Sequence, residues 1–269
     1  MANDLKKVLS AEWFKARGRK TTYIVPALTI LCSVVLFFAV GYAAGKDWIG
    51  LSSGFYIASV SMGWLVNAMA FVAVVMTGFQ ISGEFAMGTV KPAWTRPVSR
   101  RSWYFGKLIA CSAGVTFLFL ISFLTITALA GLKFGYSDLM EKDYLVHSSS
   151  EMWRSLLVVS ALTIWSLWSA VAATSVFAAF FNRPGGAIAT VIAVSLAMTL
   201  LAIIPAARPL LLSTCLTQPF EQMTAMSKGL PLPMEWGTLL WRTAACAGIW
   251  TLVSVLAGWA AIAKKEITF

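Results

Sequence analysis

Few side chains in this sequence could support catalysis. The single histidine, His147, lies near Asp143 and Glu151. A histidine between two carboxylates could exchange protons as a general acid and base. The surrounding residues favour a solvated loop, and a metal site would also have to be built on this one histidine. We therefore predict no catalytic residue, no cofactor-binding residue and no metal site in this chain.

The cysteines and hydroxyl groups give no stronger signal. The cysteines are Cys32, Cys111, Cys215 and Cys246. Their spacing matches no metal site and indicates no obvious disulfide pair. Serine and threonine within apolar stretches more often join helices or bond to their own backbone than act as nucleophiles. The polar residues in such stretches are Asn67, Thr163, Ser166, Ser169, Thr174, Ser175, Thr190 and Ser195.

The elements that carry these residues follow from the composition. The chain has 269 residues, of which 59% are hydrophobic and 12% are charged, and its mean hydropathy is +0.78. A soluble domain of this size cannot cover so much apolar surface with polar residues. Segments that cross a bilayer must satisfy their own backbone hydrogen bonds. The composition therefore predicts an all-α polytopic membrane protein and excludes an ordinary soluble enzyme.

Six apolar stretches are long enough to cross a membrane, since about 20 residues are needed. The predicted spans cover residues 22–44, 55–79, 104–132, 156–181, 187–205 and 243–263. Together they form a single transmembrane domain over residues 1–269. Prolines break the outer segment 206–242 too often for it to span. This segment forms either short helices that lie at, or dip into, the outer membrane face or a plain surface loop.

The orientation follows from the charges. Six spans place both termini on one side, and the whole net charge of +10 lies on that side. Lysine and arginine are enriched in cytoplasmic loops, so both termini are predicted to be cytoplasmic. This bias explains the basic excess without a nucleic-acid partner, and we predict none.

Residues 1–21 are predicted to form a cytoplasmic amphipathic helix. Apolar side chains recur there at helical spacing, and basic residues lie on the other faces. Such a helix lies in the membrane plane with its apolar stripe in lipid. It can also act as a platform for a cytoplasmic partner, with Glu12 as a polar contact. The candidate interface residues are Leu5, Val8, Glu12, Trp13 and Lys15.

The cytoplasmic segment between spans two and three, residues 80–103, is the most informative part of the sequence. It is much longer than a minimal connector, and it is basic and rich in glycine, proline and aromatic residues. Phe85 and Trp94 lie near arginine and lysine, a composition typical of the core of a protein interface. The alternative is an interfacial loop whose aromatic side chains lie among lipid headgroups.

The motifs of this segment resemble those of a known family. The run Ser82-Gly-Glu-Phe-Ala-Met-Gly-Thr89 is followed by Thr95-Arg-Pro-Val-Ser-Arg100 and then by Lys107. This order resembles the signature loop of ABC-type exporter permeases of the type-2 class, and Ala11-Glu-Trp-Phe-Lys15 resembles their N-terminal helix. The six-span layout agrees over the full chain, and its size is similar to that of bacterial antibiotic or bacteriocin export and immunity permeases. Pro92 departs from the pattern, because a helix former is expected there.

The resemblance implies a coupling helix within residues 80–103 that docks on an ATPase subunit. Glu84 and Arg96 would make polar contacts with the ATPase, and Phe85 and Trp94 would be apolar anchors. The other assigned residues are Gly88 and Thr89 for close backbone approach, Pro97 at the end of the coupling element, and Arg100, Arg101 and Lys107 near the headgroups.

The resemblance also implies partners. The chain would be the membrane subunit of an ATP-driven exporter in the bacterial cytoplasmic membrane. Two copies of a separate ABC ATPase would bind ATP and Mg²⁺, and this chain contains no Gly-x-x-x-x-Gly-Lys-Ser/Thr motif of its own. A second permease copy or a paralogue would complete the translocation path, surrounded by membrane lipid.

Two other functional classes remain as alternatives. A secondary transporter or channel, or an intramembrane enzyme, usually needs ionisable groups within its spans, and these spans contain essentially none. The same lack of charge favours an amphipathic or lipid-like cargo, such as a peptide antibiotic or a lipid. Dependence on ATP hydrolysed by another chain separates an exporter from the alternatives.

Overall fold

The computed structural model describes residues 2–43, 53–90, 99–141, 144–230 and 234–265. Its helices are α1 (Ala2–Gly18), α2 (Thr21–Ala43), α3 (Gly54–Ala86), α4 (Arg100–Phe134), α5 (Ser149–Phe180), α6 (Pro184–Leu201), α7 (Leu212–Ser227) and α8 (Trp236–Lys264). A short antiparallel hairpin of β1 (Leu139–Glu141) and β2 (Tyr144–His147) joins α4 to α5. A short 3₁₀ turn at Arg208–Leu210 precedes α7.

Six of the described helices, α2 to α6 and α8, are long and apolar enough to cross a membrane. The prediction of an all-α membrane protein with six spans is therefore confirmed. Several helices extend past the apolar stretch, and α3 continues from residue 79 to Ala86. With 33 residues α3 is about 50 Å long, whereas the hydrocarbon core is about 30 Å thick. Hydropathy identifies only the part of a helix that lies in lipid. The helix itself continues further, because its backbone hydrogen bonding does not end where polar residues begin.

Local residues set the helix ends. Ser53, Ser99 and Ser148 precede α3, α4 and α5. Each side-chain oxygen accepts a hydrogen bond from a backbone N–H three residues later, which caps the helix. After α3 the chain turns at Gly88, whose φ of +67° lies in the left-handed region that favours glycine. The chain therefore leaves α3 in a tight turn on the side of the termini.

Helices α3, α4 and α5 form the interior of the bundle, whereas α2 and α6 are largely exposed. Small residues allow α5 to lie close to α8. Ser169 Oγ donates to Ala247 O at 2.8 Å, and Tyr104 Oη lies 2.8 Å from Ser175 Oγ beside Gly258. Many span hydroxyl groups donate to the carbonyl four residues earlier, which is the bonding that the sequence predicts.

The segment 206–242 contains α7, which packs within the bundle. Ser166 Oγ donates to Cys215 O at 3.2 Å near the start of α7. Because Ser166 lies close to the midpoint of α5, α7 begins halfway along the bundle. Its other end lies opposite the termini, where Lys228 Nζ is 5.3 Å from the ring centroid of Tyr56. Residues Leu212–Ser227 of this segment are therefore a largely buried helix and not a plain surface loop.

A disulfide joins Cys215 of α7 to Cys246 of α8. The sequence indicated no obvious pair, and that expectation is wrong. The two cysteines are 31 residues apart, and they meet only because α7 folds back against α8. Of the other cysteines, Cys32 is exposed and Cys111 is buried.

Candidate functional site

Four charged side chains meet where α1, α3 and α4 come together on the side of the termini. Lys107 Nζ of α4 lies 2.6 Å from Glu84 Oε1 of α3 and 2.7 Å from Glu12 Oε1 of α1. Lys15 Nζ of α1 lies 2.6 Å from Glu84 Oε1 and 3.0 Å from Glu12 Oε1. Each lysine contacts both carboxylates. These four residues, here called the ion cluster, have balanced charges.

The approach of α1 to α4 makes the ion cluster possible. Glu12 and Lys15 are three residues apart and share one face of α1. Helix α1 crosses α4 at Gly106. A β-carbon added to Gly106 would lie 3.0 Å from Val8 Cβ, so a larger residue would separate the helices. The small residue therefore allows Glu12 to reach Lys107.

Trp103 also belongs to this site. Its indole Nε1 donates to Glu84 Oε2 at 3.3 Å, while Lys107 contacts the other oxygen of the same carboxylate. Trp103 and Lys107 are four residues apart, so one face of α4 presents both the indole and the ammonium group. The Glu84 carboxylate consequently has a partner on each oxygen.

Glu84 and Lys107 are buried, with exposed fractions of 4% and 1%. Moving a charge out of water costs several kcal/mol, so each group depends on its opposite charge. Lys15 lies on the open side of the cluster. Partial burial acts to lower the pKa of Lys15, but hydrogen bonds to Glu84 and Glu12 outweigh this and raise its pKa. Lys15 therefore stays protonated near neutral pH.

A second set of contacts joins this end of the bundle to α5 and α8. Arg100 Nη1 donates to the carbonyl oxygens of Ala263 and Lys265, each at 3.1 Å. Lys265 Nζ donates to Ala179 O at 2.6 Å and lies 3.8 Å from the ring centroid of Phe85. Partial burial lowers the pKa of Lys265. These contacts tie the start of α4 to the ends of α5 and α8.

Two residues after Glu84, α3 ends in an exposed turn over residues 86–89. Thr89 N donates to Glu84 O at 3.1 Å, which closes the turn. Met87 is 64% exposed, and Gly88 and Thr89 are exposed as well. A methionine side chain is flexible and adapts to irregular apolar partners. The turn is thus an accessible apolar surface joined directly to the ion cluster.

The residues that the sequence assigned to the coupling loop have different surroundings in the structure. Glu84 is buried, so its carboxylate has no open surface for another protein. Phe85 is half-buried, with its ring 5.8 Å from that of Trp103. Lys107 was expected near the headgroups and is instead buried, because α1 packs over it. Residues 91–98, which include Pro92, Trp94, Arg96 and Pro97, lie outside the described residues, as does any coupling helix within them.

The N-terminal helix α1 also differs from the prediction, in which a single apolar stripe of this helix faces lipid. Leu5 and Val8 face Gly106 of α4, and Val8 is only 8% exposed. Trp13 and Phe14 are 68% and 73% exposed. Helical spacing identified residues that lie near one another, but it could not show that part of the stripe contacts protein.

The pair formed by His147 and Glu151 lies at the start of α5. His147 Nδ1 is 3.3 Å from Glu151 Oε2, and the Glu151 side chain is 54% exposed. Asp143 lies outside the described residues. His147 is the last residue of β2 and Glu151 lies in the first turn of α5, so this is a partly exposed contact at the start of the helix. Such exposed pairs contribute little to stability.

Trp103 and Lys265 are among the residues of the site that were not assigned to it from the sequence. Trp103 could have been found, because it precedes Lys107 by one helical turn. Lys265 had no such signal, since its partners Ala179 and Phe85 come from distant parts of the chain.

The comparisons with known proteins agree with this architecture. A family model described as ABC-2 family transporter protein matches residues 8–200, which is more than half of the chain. No curated protein matches significantly. The matched region contains the whole ion cluster and the turn after α3. With six described helices that are long and apolar enough to cross a membrane, the chain belongs to the ABC-2 family of transporter proteins, the membrane permeases of ABC transporters.

Proposed function

We propose that this permease exports an amphipathic or lipid-like cargo, such as a peptide antibiotic or a lipid, with energy from a separate ATPase subunit. One observation carries the proposal: the ion cluster links three helices directly behind the exposed turn 86–89. Two ATPase copies bind ATP and Mg²⁺ and act on two permeases. With an antibiotic as cargo, the complex would confer antibiotic resistance.

The ion cluster would carry force from the turn into the membrane. Glu84 lies at the end of α3, Lys107 joins it to α4, and Glu12 and Lys15 join it to α1. Packed helices respond to such a force by moving as rigid bodies. Glu84 is then a positioning residue that makes three helices move together, and the ATPase contacts the turn beyond it.

The docking surface would be centred on Met87, with Phe85 behind it. Gly88 and Thr89 leave room for close approach of the ATPase backbone. Trp94 and Arg96 would extend the same surface, Pro97 would end it, and Arg100 would anchor the start of α4. This arrangement requires the termini side to be cytoplasmic, which agrees with the basic excess there and with a place in the bacterial cytoplasmic membrane.

Affinity purification of the full chain in mild detergent is expected to recover an ATPase subunit with a phosphate-binding loop. Met87→Ser should weaken that association about tenfold, because it removes an exposed apolar contact. Met140→Ser is the matched control, since Met140 is 59% exposed on the hairpin at the opposite end. Quantitative mass spectrometry measures the ratio of ATPase to permease.

Two outcomes would count against this assignment. A chain that purifies alone under several mild conditions would remove the exporter proposal and favour a secondary transporter. If both substitutions weakened the association equally, the proposed partnership with an ATPase would still stand, but the turn 86–89 would no longer be its docking surface.

A second copy of the chain, or a paralogue, is proposed to cover one face of α3. Trp64, Asn67 and Phe71 recur at helical spacing, and all three are exposed. The Asn67 amide donates to Gly63 O of its own helix at 3.4 Å. A polar amide facing lipid in the middle of a span is costly, so a protein neighbour is favoured there. The cargo path then runs between two such faces.

Asn67→Cys in a Cys32→Ser background is expected to form disulfide-linked dimers when membranes are oxidised. The two copies of residue 67 would face each other across the proposed interface. Leu124→Cys in the same background is the control, because Leu124 is 64% exposed on α4 and should remain monomeric. Non-reducing electrophoresis measures the yield, and equal cross-linking at both positions would contradict this interface.

A further inference from the structure

A cleft opens at the end of the bundle opposite the termini. It lies between α7, α8 and the linker that follows α6, and its volume is about 310 Å³. This volume is at the lower end of the range for ligand pockets, roughly 300–1,000 Å³, and suits a headgroup better than a whole lipid. Its charged and amide-bearing lining residues are Arg208, Gln218, Glu221, Gln222 and Arg242.

Positive charge prevails in this cleft. Arg208 and Arg242 line the cleft together with a single carboxylate, that of Glu221. Arg208 Nη2 lies 3.8 Å from Glu221 Oε2, and both side chains are more than half exposed, so this pair is weak. Arg242 contacts Met234 Sδ at 4.0 Å, and its guanidinium has no carboxylate partner among the described residues. A guanidinium is therefore available to an anion.

The cleft has a fixed floor and an apolar rim. Gln222 is 2% exposed, and its amide donates to Met234 O, which holds α7 to the segment before α8. Ile203 lines the cleft and is 79% exposed, and Pro205 and Pro209 line it as well. Exposed apolar groups near the end of a span contact the headgroup and acyl regions of the bilayer. The surroundings thus suit a molecule with both an anionic and an apolar part.

We infer that the cleft binds the phosphate group of an amphiphile, with Arg208 and Arg242 as hydrogen-bond donors. Planar guanidinium groups pair with phosphate oxygens through two parallel hydrogen bonds. The Gln218 amide is a further uncharged donor in the cleft, and the rim contacts the acyl chains. An anionic phospholipid supplies both parts, whereas inorganic phosphate supplies only the first. This binding requires no ATPase, so it is separate from the proposed coupling.

Native mass spectrometry of the purified full chain in a neutral detergent, titrated with phosphatidylglycerol, tests the inference. Arg208→Gln with Arg242→Gln is expected to weaken binding about tenfold or more, because both charge-assisted contacts are lost. Lys133→Gln with Arg154→Gln is the matched control. It removes the same charge from the same end of the bundle, outside the cleft. Circular dichroism verifies that both variants are folded.

Loss of binding in the cleft variant alone would support the site. Equal loss in both variants would assign the binding to general surface charge and overturn the inference. Unchanged binding in the cleft variant would overturn it as well. Inorganic phosphate, titrated in parallel by calorimetry, should bind much more weakly than the lipid, and equal affinity would refute the amphiphile assignment.

Discussion

Glu84→Ala is expected to abolish most ATP-coupled transport while the chain still inserts into the membrane. The substitution leaves the buried Lys107 with Glu12 as its remaining carboxylate, and it removes the acceptor of the Trp103 indole. Removing one partner of a buried ion pair costs about 3–5 kcal/mol when the other charge is left uncompensated, and the remaining contact with Glu12 should keep the loss of stability below that range. Chemical unfolding in detergent measures this loss, and transport in liposomes with the ATPase measures coupling. Glu151→Ala, at an exposed pair, should cost less than about 1 kcal/mol.

A double substitution separates positioning from stability. Glu84→Ala with Lys107→Met removes both charges of the buried pair, and apolar replacement of such a pair often restores stability. If Glu84 couples the helices as proposed, the double variant should regain stability but not transport. Recovery of both would show that the ion cluster is structural only, and the coupling proposal would then fail.

Gly106→Ala is expected to displace α1 from α4 and to reduce coupled transport strongly. The new β-carbon would lie 3.0 Å from Val8 Cβ, and closer still to a Val8 methyl group. Such overpacking typically costs about 1–3 kcal/mol. It would also move Glu12 away from Lys107, one residue along α4 from the substitution. Unfolding and transport assays measure the two effects separately.

Two further variants test whether the effect of Gly106→Ala comes from its collision with Val8. Adding Val8→Ala removes the colliding methyl groups and should restore part of both the stability and the transport. Gly185→Ala is the control, because an added β-carbon there meets no atom within 4 Å. If Gly106→Ala behaves like Gly185→Ala, close packing of α1 on α4 does not matter for coupling.

The six spans could be predicted because lipid favours apolar residues at the exposed positions of a helix. This holds for α2 and α6, which are largely exposed and were found at nearly their full lengths. The ends of α3 and α8 were less predictable. Capping by Ser53 and the turn at Gly88 set the ends of α3, and a hydropathy average does not register either.

The ion cluster could be predicted only in part. Glu84 and Lys107 stood out by residue type and motif, but their burial depends on the packing of α1 over α4. Glu12 and Lys107 are 95 residues apart in the chain, so no periodic pattern connects them. The cleft lined by Arg208 and Arg242 was missed for the same reason, since it exists only once α7 has folded back into the bundle.

Because α3 is continuous from Gly54 to Ala86, the directions of the side chains at its two ends are fixed relative to each other. Each added residue turns a helix by about 100° and lengthens it by about 1.5 Å. One residue inserted between Asn67 and Glu84 would change the angle between their side chains. If the Asn67 end kept its orientation, the Glu84 carboxylate would turn away from Lys107. If the Glu84 end kept its orientation, Asn67 would turn into the bundle. Seven inserted residues would restore the angle to within about 20° but would displace the turn by about 10 Å. The contact of Glu84 with Lys107 and the proposed interface at Asn67 therefore fix the number of residues between these two positions of α3.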